Sequence, residues 1–280
     1  MLIKFVRIKI FCVSFVLFSV FFVGLSARSE AAKKYHVSAK SAIFSNSTKV
    51  RRLYGKNVHK KVLPASTVKV MTALLALEKL PLNHMVKVSK NATYPEPSKI
   101  YARPGDRYKV SDLLFAILLR SANDASVILA EAMAGTEKKF TVMMNKRAKQ
   151  LGCQHTQFAN SNGLPTKPGT QYTTAYDMYL IFRAALKHPF FKKAITYKYK
   201  TIYSEKGRKT TLKSHNKILF FDWKQKLFGK TGYTKKAKSC FVGYAKHGGD
   251  DLIIAIFGCK SGRRWKDIKY IVSRYGRIAL

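Results

Sequence analysis

Short stretches of alternating apolar and polar residues occur at both ends of the chain, whereas its middle follows the three- and four-residue spacing of amphipathic helices. Turn sequences such as EKGR and HGGD separate the alternating stretches, as they do in β-hairpins. The predicted strands are 35–44, 49–55, 85–89, 197–204, 209–214, 226–232, 239–246 and 251–258.

Capping residues and terminal glycines or prolines delimit the helical stretches. In the first helix Val70 and Leu74 lie on one apolar face, and in the second Ser111 with Asp112 forms the predicted N-terminal cap. The apolar face of the last helix includes Trp265, which is predicted to be buried. The predicted helices are 66–79, two segments of 103–135 that SAN separates, 136–152, 173–189 and 263–280.

This order of elements predicts an α/β fold. The two ends of the chain, about 32–63 and 193–280, are expected to share one antiparallel sheet flanked by helices. The middle, about 64–192, is expected to form an inserted helical lobe. The chain has 280 residues, of which 47% are hydrophobic, and this is enough for one sizeable core.

The first thirty-one residues have the order of a secretory signal. Lys4, Arg7 and Lys9 form a basic start, an uncharged run covers 10–27, and small residues follow at the predicted cleavage site. We therefore predict a signal peptide over 1–31 and an exported mature chain over 32–280, in the periplasm, the cell envelope or outside the cell. The alternative is an uncleaved N-terminal membrane anchor, because the run is at the lower limit for a membrane span.

The balance of charge is strongly basic, with 53 Lys and Arg against 14 Asp and Glu and a net charge of +39. In a cytosolic protein this balance would indicate nucleic-acid binding. The secretory signal argues against a nucleic-acid partner, and the sequence contains no zinc-finger or basic helix-turn-helix pattern. An exported cation of this size is expected on anionic envelope polymers or lipid headgroups. The alternative is a general lysine bias on solvated faces.

The cysteines give no indication of a metal site. The sequence has no C-x-x-C or His-rich spacing, so neither a metal nor another cofactor is predicted. Cys240 and Cys259 lie on two strands that are predicted to pair, which leaves a disulfide between them open.

Three short motifs carry candidate chemistry. They are Ser66-Thr67-Val68-Lys69, Ser121-Ala122-Asn123 and Lys230-Thr231-Gly232. The S-x-x-K spacing occurs a second time at Ser214 and Lys217, so this spacing alone is weak and the order of the three motifs carries the signal.

The spacing of the first motif suits an activated nucleophile. A serine hydroxyl needs a base within hydrogen-bond reach, and residues three apart on a helix lie on one face, so Lys69 is predicted beside Ser66. The start of that helix offers free N–H groups to a developing oxyanion. Lys69 must be neutral to act as a base, and burial together with the charge of Lys230 would lower its pKa.

The other motif residues are assigned to proton transfer and substrate binding. Ser121 is predicted to relay a proton between Lys69 and the leaving amine, and Asn123 to bind a substrate amide. Lys230 is predicted to hold a substrate carboxylate, and Gly232 to let the substrate backbone come close to its strand. Thr231 is grouped with these substrate-binding residues. The Ser214–Lys217 pair is expected to be structural.

With these motifs the sequence resembles the D-alanyl-D-alanine carboxypeptidases, the low-molecular-mass penicillin-binding proteins of peptidase family S11, from about residue 35 to 280. The stretches GDRYKVSDLLFAILLRSANDAS, NSNGLP and GKTGYT add to the resemblance. It implies a β-lactamase/transpeptidase-like fold and cleavage of the terminal D-Ala from peptidoglycan stem peptides through an acyl-enzyme on Ser66. It also implies covalent binding of penicillin and other β-lactam antibiotics, and an oxyanion hole formed by the backbone N–H groups of Ser66 and Tyr233.

The sequence departs from the family pattern in places. Val68 stands where a threonine is usual, and Lys238 stands where a glycine is usual. Many relatives continue into a β-rich second domain and an amphipathic membrane anchor, and this chain is expected to have no such C-terminal anchor.

Three alternatives to the carboxypeptidase remain open. A D,D-endopeptidase acting on peptidoglycan cross-links would carry the same motifs. A β-lactamase would need a deacylating glutamate, and no E-x-x-L-N occurs between SAN and KTG. An inactive, basic wall-binding protein is the third alternative, and the intact set of motif residues speaks against it.

Overall fold

Strands from the two ends of the chain meet in one antiparallel sheet with the order β2-β1-β9-β8-β7. Its strands are β1 Ser41–Asn46, β2 Arg51–Lys56, β7 Phe228–Thr234, β8 Lys238–His247 and β9 Asp250–Cys259. The computed structural model describes residues 35–280, so the predicted signal sequence lies outside the described residues. The predicted sharing of one sheet by the two chain ends is confirmed.

Two short hairpins stand apart from this sheet. They are β3 Met85–Lys87 with β4 Arg107–Lys109, and β5 Tyr199–Tyr203 with β6 Lys209–Lys213. The expectation that all of 193–280 contributes to the main sheet is therefore wrong for β5 and β6. Strand β4 was not predicted, because it directly precedes α2 and lies within the stretch 103–135, whose pattern is helical.

The middle of the chain is largely helical. The helices are α1 Lys69–Lys79, α2 Val110–Phe115, α3 Asn123–Ala134, α4 Glu137–Gln150, α5 Ala175–Ala185, α6 Pro189–Ala194 and α7 Arg264–Gly276. Pro189 begins α6 where the sequence suggested only the end of α5, because proline suits the first helical position. The predicted Ser111–Asp112 cap is also wrong: α2 starts at Val110, so Ser111 lies inside the helix, and the N-cap residue Lys109 makes no side-chain cap hydrogen bond.

The sheet is covered by helices on both faces, α5 packing against β1, β8 and β9 and α7 against β2, β8 and β9. Along β9, Ala255 and Phe257 belong to the core shared with the helical lobe, whereas Ile254 and Ile256 are buried outside that core cluster. Burial on both sides explains the continuous apolar run of this strand, since successive residues point to opposite faces. Trp265 of α7 is only half-buried, against the expectation, and packs edge-on to Phe241.

Helix α1 lies within the core of the helical lobe and packs against α3 and α5. Val70 and Leu74 are both fully buried, as the apolar face predicts. Within residues 35–280, Cys153, Cys240 and Cys259 are all buried free thiols, so Cys240 and Cys259 are not paired. Within residues 35–280 no helix is both long enough and apolar enough to cross a membrane.

Candidate active site

Ser66 lies in a turn of 3-10 helix, Ala65–Val68, that leads directly into α1. Lys69 is the first residue of α1, and its Nζ donates a hydrogen bond to Ser66 Oγ at 3.1 Å. Ala65 has a left-handed backbone with φ of 48°. Such a conformation costs a non-glycine residue about 1–2 kcal/mol, and backbone strain of this kind concentrates at functional sites.

Two glycines make room for this turn. A Cβ atom at Gly163 would lie 2.0 Å from the carbonyl oxygen of Ala65, and one at Gly232 would lie 3.2 Å from the backbone nitrogen of Ser66. The NSNGLP turn and the edge strand β7 therefore both pack directly against the backbone that holds the serine. A side chain at Gly163 is excluded outright, whereas one at Gly232 would require its neighbours to move by a few tenths of an ångström.

Lys69 is completely buried and makes three hydrogen bonds. Besides Ser66, its Nζ donates to Asn123 Oδ1 at 2.7 Å and to the carbonyl oxygen of Asn162 at 2.6 Å. Burial, and next the charge of Lys230, hold the pKa of Lys69 well below its usual range. Loss of one proton leaves a lone pair that can accept the hydroxyl proton of Ser66, which is the chemistry of a general base.

Ser121 lies at the end of a π-helical turn, Ala116–Arg120, and has a left-handed backbone with φ of 63°. Its Oγ accepts a hydrogen bond from Lys230 Nζ at 2.9 Å. Lys230 is buried on β7 and also donates to the carbonyl oxygen of Thr231 at 2.8 Å. Burial, with the nearby charge of Arg264, lowers the pKa of Lys230 to about 7. The site therefore contains a second serine–lysine pair beside the first.

Asn123 connects these pairs to a neighbouring loop. Its Oδ1 accepts from Lys69, and its Nδ2 donates to the carbonyl oxygen of Glu96 at 2.6 Å. Both polar ends of the side chain are thus engaged. The side-chain amide nitrogen has a second N–H group, which can donate to a substrate amide as predicted while the bond to Glu96 is kept.

The remaining predicted residues lie along β7, the last strand of the main sheet. Thr231 is largely buried, whereas the side chain of Tyr233 is 63% exposed. Among the strands of residues 35–280, β7 pairs with β8 alone, so its other side can take an added strand of extended peptide. The structure brings all eight predicted site residues to one region, at the start of α1 and the edge of the sheet.

The second S-x-x-K pair lies outside this arrangement. Ser214 Oγ accepts a hydrogen bond from the N–H of Asn216 at 3.3 Å, and Lys217 starts a short 3-10 helix, Lys217–Phe220. A turn bond within three residues is a structural use of serine.

Some contributors to the site were not predicted. Asn162 acts through its backbone carbonyl, which leaves no side-chain signature in a sequence. Arg264 Nη1 donates to the carbonyl oxygens of Gly232 and Cys240 at 3.3 and 3.1 Å, and so ties α7 to the strands of the site. Asp124 accepts from the N–H groups of Ile100 and Ala102, which holds the loop before Ser121. For Arg264 the only signal in the sequence is its basic character, and for Asp124 it is an acidic residue directly after SAN.

Known proteins resemble this chain in sequence and in fold. The family model for D-alanyl-D-alanine carboxypeptidases, peptidase S11, matches residues 27–261. The D-alanyl-D-alanine carboxypeptidase DacF of Bacillus subtilis is 36% identical over 230 residues, which cover 80% of this chain and 58% of the relative. Across the first three curated relatives, this chain spans 58%, 65% and 60% of their lengths.

Solved structures of similar proteins also superpose on this chain. The crystal structure of a D-alanyl-D-alanine carboxypeptidase from Mycobacterium tuberculosis superposes with a TM-score of 0.79 at 30% identity, covering 88% of this chain and 94% of that chain. The DD-transpeptidase of Streptomyces K15 superposes with a TM-score of 0.79 at 26% identity, covering 88% of this chain and 99% of that chain. The sheet with its helical lobe is therefore the fold of the penicillin-binding and transpeptidase proteins.

Proposed function

This chain belongs to the D-alanyl-D-alanine carboxypeptidases of peptidase family S11, and on that premise we propose that it removes the terminal D-Ala from peptidoglycan stem peptides through an acyl-enzyme on Ser66. One observation carries the proposal: the buried Lys69, with a lowered pKa, lies 3.1 Å from the hydroxyl of a half-buried serine. A neutral amine at this distance is the base that a serine nucleophile needs.

The acylation step follows from the two serine–lysine pairs. Lys69 accepts the proton of Ser66 as Oγ attacks the carbonyl carbon of the penultimate D-Ala. The backbone N–H groups of Ser66 and Tyr233 would hold the oxyanion. The C–N bond then breaks, and the proton passes from Lys69 by way of Ser121 to the leaving amine. The Lys230–Ser121 bond of 2.9 Å orients the relay hydroxyl.

Deacylation completes the cycle with water as the second substrate. Water attacks the ester carbonyl, Lys69 takes its proton, and the proton returns to Ser66 as the ester bond breaks. Penicillin would acylate the same hydroxyl, because its lactam carbonyl resembles the scissile amide.

Substrate binding is assigned to the edge of the sheet. The stem peptide would lie along β7 as an added strand, with its terminal carboxylate near Lys230 and Thr231. Gly232 leaves space on that side of the strand, since a side chain there would contact the Ser66 backbone.

The place of action is proposed from the sequence. Peptidoglycan lies outside the cytoplasm, and the predicted signal at 1–31 would export the chain, or anchor it at its N-terminus. The excess of 53 basic over 14 acidic residues would favour anionic envelope polymers as a surface partner.

The test is incubation of the purified protein with muropeptides, followed by mass spectrometry. We expect pentapeptide stems to lose one alanine and Ser66→Ala to abolish this loss. Pentapeptides that remain intact with the wild-type protein, or that are shortened equally by Ser66→Ala, would contradict the proposed function.

A further inference from the structure

A groove opens beside the proposed nucleophile, at the end of β7. Its first part is a pocket of about 260 Å³ between residues 63–65, the loop 163–169 and Thr234. Its second part is a pocket of about 500 Å³ that shares Leu63 and Lys236 with the first. Because the two pockets have walls in common, they form one continuous groove, which we call the lysine groove.

The first part of the groove is largely apolar. Its wall contains two leucines and three prolines, namely Leu63, Pro64, Leu164, Pro165 and Pro168. Ala65, which directly precedes Ser66, belongs to the same wall, so the groove begins at the nucleophile. Such a wall favours a ligand whose apolar part it can cover.

The second part of the groove is basic. Its wall contains five lysines, namely Lys40, Lys56, Lys60, Lys61 and Lys236. The residues that line it, all of which lie in the described part of the chain, include no Asp or Glu. Ser38, on the same wall, donates from its N–H and Oγ to the buried carboxylate of Asp267 at 3.1 and 2.5 Å, so this carboxylate is engaged inside the fold. The groove therefore presents a positive field to an anionic group.

Two of these lysines are engaged by the protein itself. Lys56 Nζ donates to the carbonyl oxygen of Val37 at 2.7 Å, and Lys61 Nζ lies 4.3 Å from the ring centre of Tyr172. Their charges contribute to the field of the groove, whereas the positions of their ammonium groups are set by the fold.

Lys60 and Lys236 can reach a ligand. Both are exposed, and within residues 35–280 neither ammonium group has a hydrogen-bond, ion-pair or ring partner. Lys236 lines both parts of the groove, so it lies where the apolar wall meets the basic one. An ion pair made by either lysine would break no existing contact.

The direction of a bound peptide follows from the proposed function. Its terminal carboxylate would lie near Lys230, early in β7, and its reacting carbonyl would meet the N–H of Tyr233, near the end of the strand. The peptide would therefore run antiparallel to β7, and its residues before the D-Ala pair would continue past Thr234. One strand residue covers about 3.4 Å, so the two residues before the D-Ala pair would lie beside Thr234 and the turn that contains Lys236.

We propose, on the premise of that function, that the lysine groove binds free carboxylates on the two residues before the D-Ala pair. Lys236 and Lys60 are the ligands of these carboxylates, and the apolar wall covers the side-chain stems that carry them. The protein thus selects peptides with acidic residues at these positions over the same peptides in amide form. A free polyanion would also meet the lysines, but only a peptide bound at Ser66 continues along β7 into the groove.

The test compares two peptides with the full-length protein. Both end in D-Ala-D-Ala with a free C-terminal carboxylate, and the two preceding residues carry side-chain carboxylates in one peptide and side-chain amides in the other. For the wild type, kcat/KM should be about three- to tenfold higher on the acid peptide, as expected for two exposed ion pairs. Because neither lysine is placed at the reacting atoms, the difference should lie in KM, with kcat nearly equal.

Lys60→Gln/Lys236→Gln is the variant that tests the assignment. Its kcat/KM on the amide peptide should equal that of the wild type, and its preference for the acid peptide should disappear. Lys235→Gln/Lys246→Gln is the matched control, because both of these lysines are exposed, neither lines the groove, and the variant loses the same charge. It should keep the wild-type preference.

Three results would overturn the inference. They are an equal kcat/KM of the wild type on the two peptides, an unchanged preference in Lys60→Gln/Lys236→Gln, and an equal loss of preference in the control variant. In each case, cleavage of both peptides by the wild type still upholds the proposed function. Failure of the wild type to cleave either peptide would remove the inference and the proposed function together.

A soluble glycerol-phosphate polymer distinguishes a peptide subsite from a polymer site. A polymer site is indicated if the polymer slows cleavage of both peptides by the wild type but not by Lys60→Gln/Lys236→Gln, and if kcat/KM on the two peptides is equal without polymer. That combination would overturn the inference. A higher kcat/KM on the acid peptide without polymer supports the peptide subsite.

Discussion

Lys230 Nζ lies 2.9 Å from Ser121 Oγ, although 109 residues separate the two in sequence. The charge of the same lysine also lowers the pKa of Lys69, and after burial it is the largest cause of that shift. One cation thus binds the hydroxyl of the proposed proton relay and favours the neutral state of the proposed base. The charge of Lys230 therefore bears on both serine–lysine pairs, and the ionisation of Lys69 and Lys230 determines the expected response to pH.

The first prediction concerns the pH profile of kcat/KM, which reports the groups of the free enzyme. Lys69 must be neutral, so activity on a D-Ala-D-Ala peptide should fall at acid pH as Lys69 gains a proton. Lys230 is a cation below its pKa of about 7 and neutral above it, so binding of the substrate carboxylate should weaken above about pH 7. Steady-state kinetics across pH should therefore show an acid limb and an alkaline limb, that is, a fall in kcat/KM on each side of the optimum.

A peptide with an amidated C-terminus provides the comparison for that profile. It has no carboxylate for Lys230 to bind, so its alkaline limb should be absent or much shallower. An alkaline limb of equal depth on both peptides would assign it to another group.

The second prediction concerns covalent labelling. A fluorescent penicillin should attach to Ser66, and Ser66→Ala should abolish the label. Ser214→Ala is the matched control, because Ser214 also precedes a lysine by three residues but its hydroxyl accepts a turn bond from the N–H of Asn216. Peptide mapping identifies the labelled residue.

The lifetime of that adduct separates the peptidase from a β-lactamase. The sequence between SAN and KTG offers no E-x-x-L-N glutamate, and Glu137 is engaged with the N–H of Ser161 at 2.9 Å. We expect the acyl-enzyme to persist far beyond the labelling time. Rapid turnover of penicillin would favour the β-lactamase alternative.

Much of this arrangement could be predicted from local sequence patterns. The alternation of apolar and polar residues predicts the strands of the main sheet. The spacing of Ser66 and Lys69 predicts their contact, because residues three apart on a helix lie on the same face. The Lys230–Ser121 contact could not be derived in this way, since it depends on how β7 packs against a helix from another part of the chain. The carbonyl of Asn162 was missed because every residue carries one.

The third prediction concerns Lys238, the first residue of β8. Lys238 has a φ of 59°, a left-handed conformation that costs an L-residue about 1–2 kcal/mol and glycine almost nothing. After the greater flexibility of glycine in the unfolded chain is subtracted, Lys238→Gly should raise the free energy of unfolding by about 0.5–1 kcal/mol. Urea unfolding measures this change.

Lys236→Gly is the control for that variant. It removes the same charge two residues earlier, in the β7–β8 turn, but Lys236 is not among the described residues with positive φ. It should therefore lower the free energy of unfolding by about 0.5–1 kcal/mol. A loss of stability in both variants would show that the backbone at Lys238 is not strained.

The fourth prediction concerns the close packing beneath Ser66. Gly163→Ala would place a Cβ atom 2.0 Å from the carbonyl oxygen of Ala65, so the turn that carries Ser66 must shift. Acylation by penicillin should fall by about a hundredfold, the size of loss that a displacement of about 1 Å can cause. Stopped-flow measurement of acylation tests this.

Gly207→Ala separates the clash from the backbone effect. Gly207 has a φ of 76°, close to the 85° of Gly163, but has no atom within 4 Å of its added Cβ. It should lose stability through strain and retain its acylation rate. Equal acylation rates in the two variants would show that Gly163 does not position the nucleophile.

The last prediction concerns the role of Lys230 in binding. In a partly desolvated cleft a hydrogen bond to a charged group contributes about 1.5–3 kcal/mol, or a ten- to hundredfold effect. Lys230→Gln should lower kcat/KM for a D-Ala-D-Ala peptide by at least that factor, and by more because Lys230 also lowers the pKa of Lys69. Amidation of the peptide removes the carboxylate and leaves the effect on Lys69 in place. Wild type should therefore lose much of its rate on the amide, and the variant little more than it has already lost. If the variant still discriminates acid from amide as strongly as wild type, the carboxylate must bind to another cation of the site.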